Sequence, residues 1–271
     1  MPELFSAIIL GLIEGLTEFV PVSSTGHLIL ASALMNLNGA AINTFEIFIQ
    51  LGAILAVVVL YRQKFVALCL PSKKDKAPAP KRHFAGLWGL WLLFLTCLPA
   101  GILGLFAHKL IKQHLFTPLT VALALALGAI FMLLLERYKK PPSYNNLDEL
   151  TPKMALGIGF FQCLSLWPGF SRSAATIMGG MILGAERKIA ADYSFIAAVP
   201  IMFAATLFDL YKNFENISPE YILFFAVGFV VAFFSALLAI KFFITILGRL
   251  GLIPFAWYRL ALAPLVYLWF A

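Results

Sequence analysis

Charge is what this chain lacks. Only 12% of its 271 residues are Asp, Glu, Lys or Arg, against about a quarter in a soluble domain, while 62% are hydrophobic. That excludes a soluble domain and leaves an integral membrane protein. Acidic residues are the scarcer charge, thirteen against twenty Lys and Arg, for a formal net charge of +7. No basic–aromatic surface pattern goes with the excess, so it points to loops against anionic lipid headgroups and not to nucleic acid. Cysteine is rare too. Cys69, Cys97 and Cys163 lie in or beside apolar runs without metal-ligand spacing and read as small buried hydrophobes. The start, MPELFSAIIL, has no basic segment and Glu14 interrupts its run, so it does not read as a cleaved signal.

A membrane span needs roughly 20 apolar residues. Six segments qualify, near 43–61, 86–106, 117–136, 189–211, 219–241 and 252–270. Residues 3–36 and 153–185 do not, because each holds two apolar arms broken by Pro and polar residues, at Pro21 and at Pro168-Gly169. Irregular backbone at membrane depth survives only when buried in protein or lining a wet cavity. Both regions are therefore expected to be re-entrant helix–loop–helix hairpins. The expected fold is an all-α polytopic membrane protein forming one transmembrane domain, 1–271. Each half is a hairpin plus three crossings, repeat one near 1–136 and repeat two near 153–271, joined by linker 137–152.

Basic residues orient the chain. Loop 62–85 holds Arg62, Lys64, Lys73, Lys74, Lys76, Lys81 and Arg82, and loop 137–153 holds Arg137, Lys139, Lys140 and Lys153. Arg187 and Lys188 follow the second hairpin, and Lys241 and Arg249 are expected to bracket the last inter-helix turn. With these fifteen inside, the outer loops keep Lys109, Lys112 and Lys212, and both termini lie outside. Three crossings is an odd number, so the second copy is expected to be inverted and the two hairpin tips to meet near the midplane.

The polar residues gather at those tips. EGLTEFVPVSSTGH supplies Glu14, Glu18, Ser23, Ser24, Thr25 and His27, and QCLSLWPGFSRS supplies Gln162, Ser171, Arg172 and Ser173. A shift of 148 residues lays Glu14 on Gln162, Ser23 on Ser171 and Phe45 on Tyr193. Glu14 and Glu18 share a helical face and suit either a divalent cation, Mg2+ or Ca2+, or acid–base work. They would be idle only if solvated at the interface, as Glu3 is expected to be. Gln162 replaces the matching carboxylate, so acid chemistry belongs to the first half. Ser23 or Ser24, and Ser171 or Ser173, can cap helices whose free N–H groups form an anion site. Arg172 suits bidentate capture of phosphate. His27 is a candidate nucleophile or proton donor beside them, although a lone buried histidine is more often simply hydrogen-bonded. His83, His108 and His114 read as solvated. Glu46 and Gln50 can extend the polar lining, Asp192 and Asp209 read as interfacial, and Tyr193, Ser194, Tyr258 and Arg259 as supporting contacts.

The strings EGLTEFVPVSSTGH, TFEIFIQLGAILAVV, LWPGFSRSAATI and IPFAWYRL resemble those of the bacterial undecaprenyl-diphosphate phosphatases of the bacitracin-resistance family, across nearly the whole chain. The resemblance implies a plasma-membrane enzyme that removes the terminal phosphate of undecaprenyl diphosphate, regenerating the carrier lipid for wall polymers. It implies a divalent metal, a site open to the periplasmic or outer side, and functional roles for Glu14, Glu18, Ser24, His27 and Arg172. Ser23, Thr25, Ser171 and Ser173 would lie nearby. The nucleophile stays open between Ser24, His27 and water. The alternative function is a flippase for prenyl phosphates, since inverted repeats with midplane hairpins are also a transporter plan.

Overall fold

Without water to bond to, a chain crossing lipid must satisfy its own backbone, and long apolar runs do so as helix. The computed structural model describes residues 4–70, 83–115, 117–213 and 219–270. Its helices are α1 (Leu4–Thr17), α2 (Ser24–Leu34), α3 (Ala40–Leu60), α4 (Arg62–Cys69), α5 (Gly86–His114), α6 (Pro118–Tyr138), α7 (Pro152–Gln162), α8 (Arg172–Ile182), α9 (Arg187–Lys212), α10 (Ile222–Leu250) and α11 (Ile253–Phe270). The chain is an all-α polytopic membrane protein, with no strand among the described residues beyond a single bridge between Tyr144 and Ala185. Outside the described residues lie Glu3, the basic-loop residues Lys73, Lys74, Lys76, Lys81 and Arg82, and the side chains of His108 and Lys112.

Five helices, α3, α5, α6, α9 and α10, are long and apolar enough to cross a membrane. The expected sixth crossing is the 18-residue α11, which carries Pro264 and Arg259 and falls outside that set. Both polar regions are broken where expected. At about 1.5 Å per residue, the 14 residues of α1 reach only about 21 Å, short of the roughly 30 Å hydrocarbon core. The chain turns over Glu18–Ser23 and starts again as α2; α7 gives way to one 3-10 turn, Cys163–Leu166, before α8.

Three expectations need correcting. α5 and α10 each run 29 residues, so Lys109 and Lys241 sit on helices and not in loops. Cys69 is exposed, because it ends α4, a short piece with only Leu68 buried; Cys97 and Cys163 are half-buried. His83 is not simply solvated, since its Nδ1 lies 2.8 Å from Asp148.

Packing exchanges the two ends of the chain. α1 lies along α10 and α7 along α5, so each hairpin's first arm rests on the second long helix that follows the other hairpin. Glycine allows both approaches: a Cβ on Gly11 would stand 2.6 Å from the Gly228 carbonyl, and one on Gly159 2.6 Å from that of Thr96. Phe45 packs on Phe224 of α10 with ring centroids 4.2 Å apart. Tyr193, its match at the shift of 148, bonds instead to Thr96 and the Leu92 carbonyl of α5. At the end remote from the breaks, Glu136 accepts from Arg187, from Lys139 (2.9 Å) and from the Leu252 amide (2.9 Å), joining α6, α9 and the α10–α11 turn.

Candidate active site

Ser23 and Ser171 are the pivots of the two breaks. Their φ angles, 73° and 75°, fall in the left-handed region, and each side chain accepts from an amide three residues on, Gly26 or Ala174, at 3.3 Å. A non-glycine residue held there costs of order 1–3 kcal/mol, and such strain gathers at functional sites. Each serine caps a helix, so two helix N-termini, with their unpaired N–H groups and positive dipole ends, lie at the centre.

The breaks meet through side chains. Ser173 Oγ donates across to the Val20 carbonyl at 3.1 Å and pairs with Ser171 Oγ at 3.0 Å. Arg172 Nη2 reaches Glu18 Oε1 at 3.0 Å, a pair with side chains only 11% and 9% exposed. Between the breaks is a cavity of about 170 Å³ lined by Glu18, Ser23, Ser24, Thr25, Gln50, Ser165, Pro168, Gly169, Ser171, Arg172 and Met202.

One carboxylate links a hydroxyl to a cation inside that cavity. Ser24 Oγ donates to Glu18 Oε2, and Arg172 holds the other oxygen. Nucleophile, base and orienting group in series are the arrangement that activates a weak alcohol. The guanidinium lies 5.2 Å over the Phe19 ring and donates to the Ser194 carbonyl at 3.4 Å and to Met202 Sδ at 3.2 Å. Its Nε is buried without a partner, a donor available to an oxyanion.

Glu14 stands one helical turn earlier, fully buried, and neither of its oxygens has a partner. An uncompensated carboxylate in such surroundings is strongly unfavourable. Two bare hard oxygens are donors of the type a divalent cation takes, and Glu18, four residues on, is the carboxylate that could share it. Among the described residues no three His, Cys, Asp or Glu side chains gather, so hydroxyls, water and phosphate oxygens would complete any shell. Glu46 is taken up by the Ser32 hydroxyl at 2.5 Å.

Of the ten site residues expected from the sequence, Glu18, Ser23, Ser24, Thr25, Ser171 and Arg172 line this cavity. Glu14 lies behind them. His27 is turned elsewhere: Nδ1 bonds the Ser23 carbonyl at 2.7 Å and Nε2 the Tyr258 hydroxyl at 2.6 Å, with the two rings parallel. A carbonyl can only accept, so Nδ1 carries the proton and the neutral ring's Nε2 accepts from Tyr258. Ser173 and Gln162 are not among the lining residues. The first braces Val20, and Gln162 Nε2 donates to the Thr96 carbonyl at 3.3 Å. Ser165 and Met202 were not singled out from the sequence, and nothing in their spacing marks them. Arg259, expected as a supporting contact, is fully buried and reaches both breaks. Its signal was an arginine on an apolar helix with no acid near it in sequence.

Fold and site together define a polytopic α-helical membrane protein with a polar cavity set between two broken helical hairpins. The chain belongs to the bacitracin resistance protein BacA family, whose model matches residues 7–265. It is 62% identical to the undecaprenyl-diphosphatase of Nitratidesulfovibrio vulgaris (strain Hildenborough) over 271 residues, 100% of both chains. It is 61% identical to that of Maridesulfovibrio salexigens over 266 residues, 98% of each, and 44% identical to that of Anoxybacillus flavithermus over 272 residues, 98% of this chain and 97% of the relative.

Proposed function

We propose that this protein is an integral membrane phosphatase that hydrolyses undecaprenyl diphosphate to undecaprenyl phosphate and phosphate, recycling the carrier lipid for cell-wall synthesis. The hydrogen-bonded series Ser24–Glu18–Arg172, set where two helix N-termini converge, carries this reading. The polyprenyl chain stays against the apolar flank of the protein in the bilayer while the diphosphate enters the cavity. Arg172, Thr25 and the uncapped N-terminal amides of α2 and α8 take the phosphate oxygens. Ser24 Oγ attacks the terminal phosphorus and passes its proton to Glu18. The bond to the bridging oxygen breaks, and undecaprenyl phosphate leaves with that electron pair. Water then attacks the phosphoserine, its proton going to Glu18 while Glu18 returns the first proton to Ser24 Oγ. His27 braces the Ser23 carbonyl and is not the attacking group.

Glu14, with Glu18, would hold a divalent cation, Mg2+ or Ca2+. Bound there, such an ion neutralises phosphate charge. The crossed packing of α1 on α10 and α7 on α5, with like cap geometry at Ser23 and Ser171, supports an inverted repeat of residues near 1–136 and 153–271. The excess of basic residues in loops 62–85 and 137–153 supports a plasma-membrane orientation with those loops cytoplasmic, both termini outside and the site open outward.

A flippase would use the same anion site but give the Ser24–Glu18 bond no role. Detergent-solubilised protein separates the two, because phosphate release from a prenyl diphosphate needs no second compartment. Release is expected. Lipid movement in vesicles without phosphate release in detergent would replace this reading with transport.

A further inference from the structure

Among the described residues Arg259 is the largest fully buried side chain, and none of its partners there is acidic. All five of its N–H groups are spent on main-chain carbonyls. Nε donates to Leu125 at 3.2 Å, Nη1 to Pro21 at 3.4 Å and Phe170 at 2.8 Å, and Nη2 to Ala124 and Gly169 at 3.0 Å each. Pro21 belongs to the first break, Gly169 and Phe170 to the second, and Ala124 and Leu125 to α6. One guanidinium therefore ties both broken hairpins to a membrane-spanning helix.

The placement of those carbonyls matters. Pro21 lies two residues before Ser23, and Phe170 immediately before Ser171. Carbonyl oxygens carry the negative end of the peptide dipole, and loose ones beside an anion cavity would repel phosphate. Here they are bonded to a guanidinium that is not among the residues lining the cavity, and its charge offsets theirs. The α2 and α8 N-termini are left as the charge the cavity presents. The room for this fork is also built in. A Cβ at Gly128 would run into Nη2 and stand 2.9 Å from Cζ. Gly169 has φ +94°, and a Cβ there would come 2.5 Å from the Val121 carbonyl.

We infer that Arg259 is a positioning residue for catalysis: it fixes the two breaks in register so that Ser24–Glu18 and Arg172 face the same phosphate. This inference rests on the phosphatase reading above. A lysine keeps the charge but offers three donors at one point, and cannot span carbonyls on three segments.

The test measures kcat and KM for phosphate release from a prenyl diphosphate, using monodisperse full-length wild type, Arg259→Lys, Gly128→Ala and the double variant. Binding of the prenyl tail does not depend on register, so Arg259→Lys is expected to lower kcat about tenfold or more with KM within about threefold. Gly128→Ala, which pushes the guanidinium without removing it, is expected to lower kcat by about three- to tenfold and to add little in the Lys background. Wild-type kcat in folded Arg259→Lys, or full additivity of the two changes, would overturn the inference. Should Arg259→Lys not fold, Gly128→Ala decides alone, and wild-type kcat there overturns it. No release by wild type would count against the phosphatase reading instead.

Discussion

The two breaks share a backbone and differ in chemistry. Ser23 and Ser171 have nearly the same left-handed φ and the same cap bond, and each follows by twelve residues a glycine that admits a neighbouring helix. Their side chains diverge. The first break supplies Glu14, Glu18 and Ser24, and the second supplies Arg172 and the bracing Ser173, with Gln162 where a carboxylate would match. Two like caps bring two helix N-termini to one cavity, and the residues that differ between the breaks set the carboxylate and hydroxyl on one side and the guanidinium on the other. The like caps account for where the breaks meet; on the proposed mechanism, their unlike side chains account for which of them reacts.

The largest losses should follow removal of either side of the linked Ser24–Glu18–Arg172 series. Ser24→Ala and Glu18→Ala should each lower kcat by about a thousandfold, and Arg172→Ala should lower kcat/KM by at least about a hundredfold, read as phosphate release. Equal, small losses from all three would erase the division of labour.

Exchanging the unlike pair, Glu14 and Gln162, should have intermediate effects. Glu14→Gln should abolish most turnover and any dependence on added Mg2+ or Ca2+. In metal-free protein it should also raise the melting temperature, because two unpartnered carboxylate oxygens cost about 1–3 kcal/mol or more. Gln162→Glu should do the opposite to stability. It removes the donor to the Thr96 carbonyl and sets a charge against it, costing about 1–3 kcal/mol without gaining activity. Tyr258→Phe, which leaves His27 Nε2 without its donor, should cost only about three- to tenfold in kcat if His27 braces and does not attack.

The smallest expected effect lies outside both breaks. Burial raises the Asp148 carboxyl, but the Phe84 amide and His83 outweigh this and hold it below its ordinary 3.8. A depressed folded value stabilises above the unfolded one, and that contribution is lost as pH falls through the folded value. Asp148→Asn should therefore lower the melting temperature slightly at neutral pH, by a gap that closes below about pH 4, and leave turnover unchanged.

Much of this architecture was legible in the residues. The apolar runs and their Pro-centred interruptions located the helices and both breaks, because backbone in lipid has few alternatives. The polar strings located six residues that line the cavity. What the sequence left open was direction. Ser24 and His27 are one turn apart, and only their partners, Glu18 for one and Ser23 with Tyr258 for the other, separate them. The reach of Arg259 is hidden in the sequence because its five acceptors are main-chain carbonyls, which no residue pattern displays. Lys109 and Lys241 were misplaced because helix continues past the apolar run once a long side chain can carry its charge outward.

The most direct measurement is the trapping of labelled phospho-enzyme from a prenyl diphosphate carrying labelled terminal phosphate, in wild type, Ser24→Ala and His27→Ala. Label on the wild type and on His27→Ala, and none on Ser24→Ala, is the predicted result. Label that survives in Ser24→Ala and disappears in His27→Ala would contradict it.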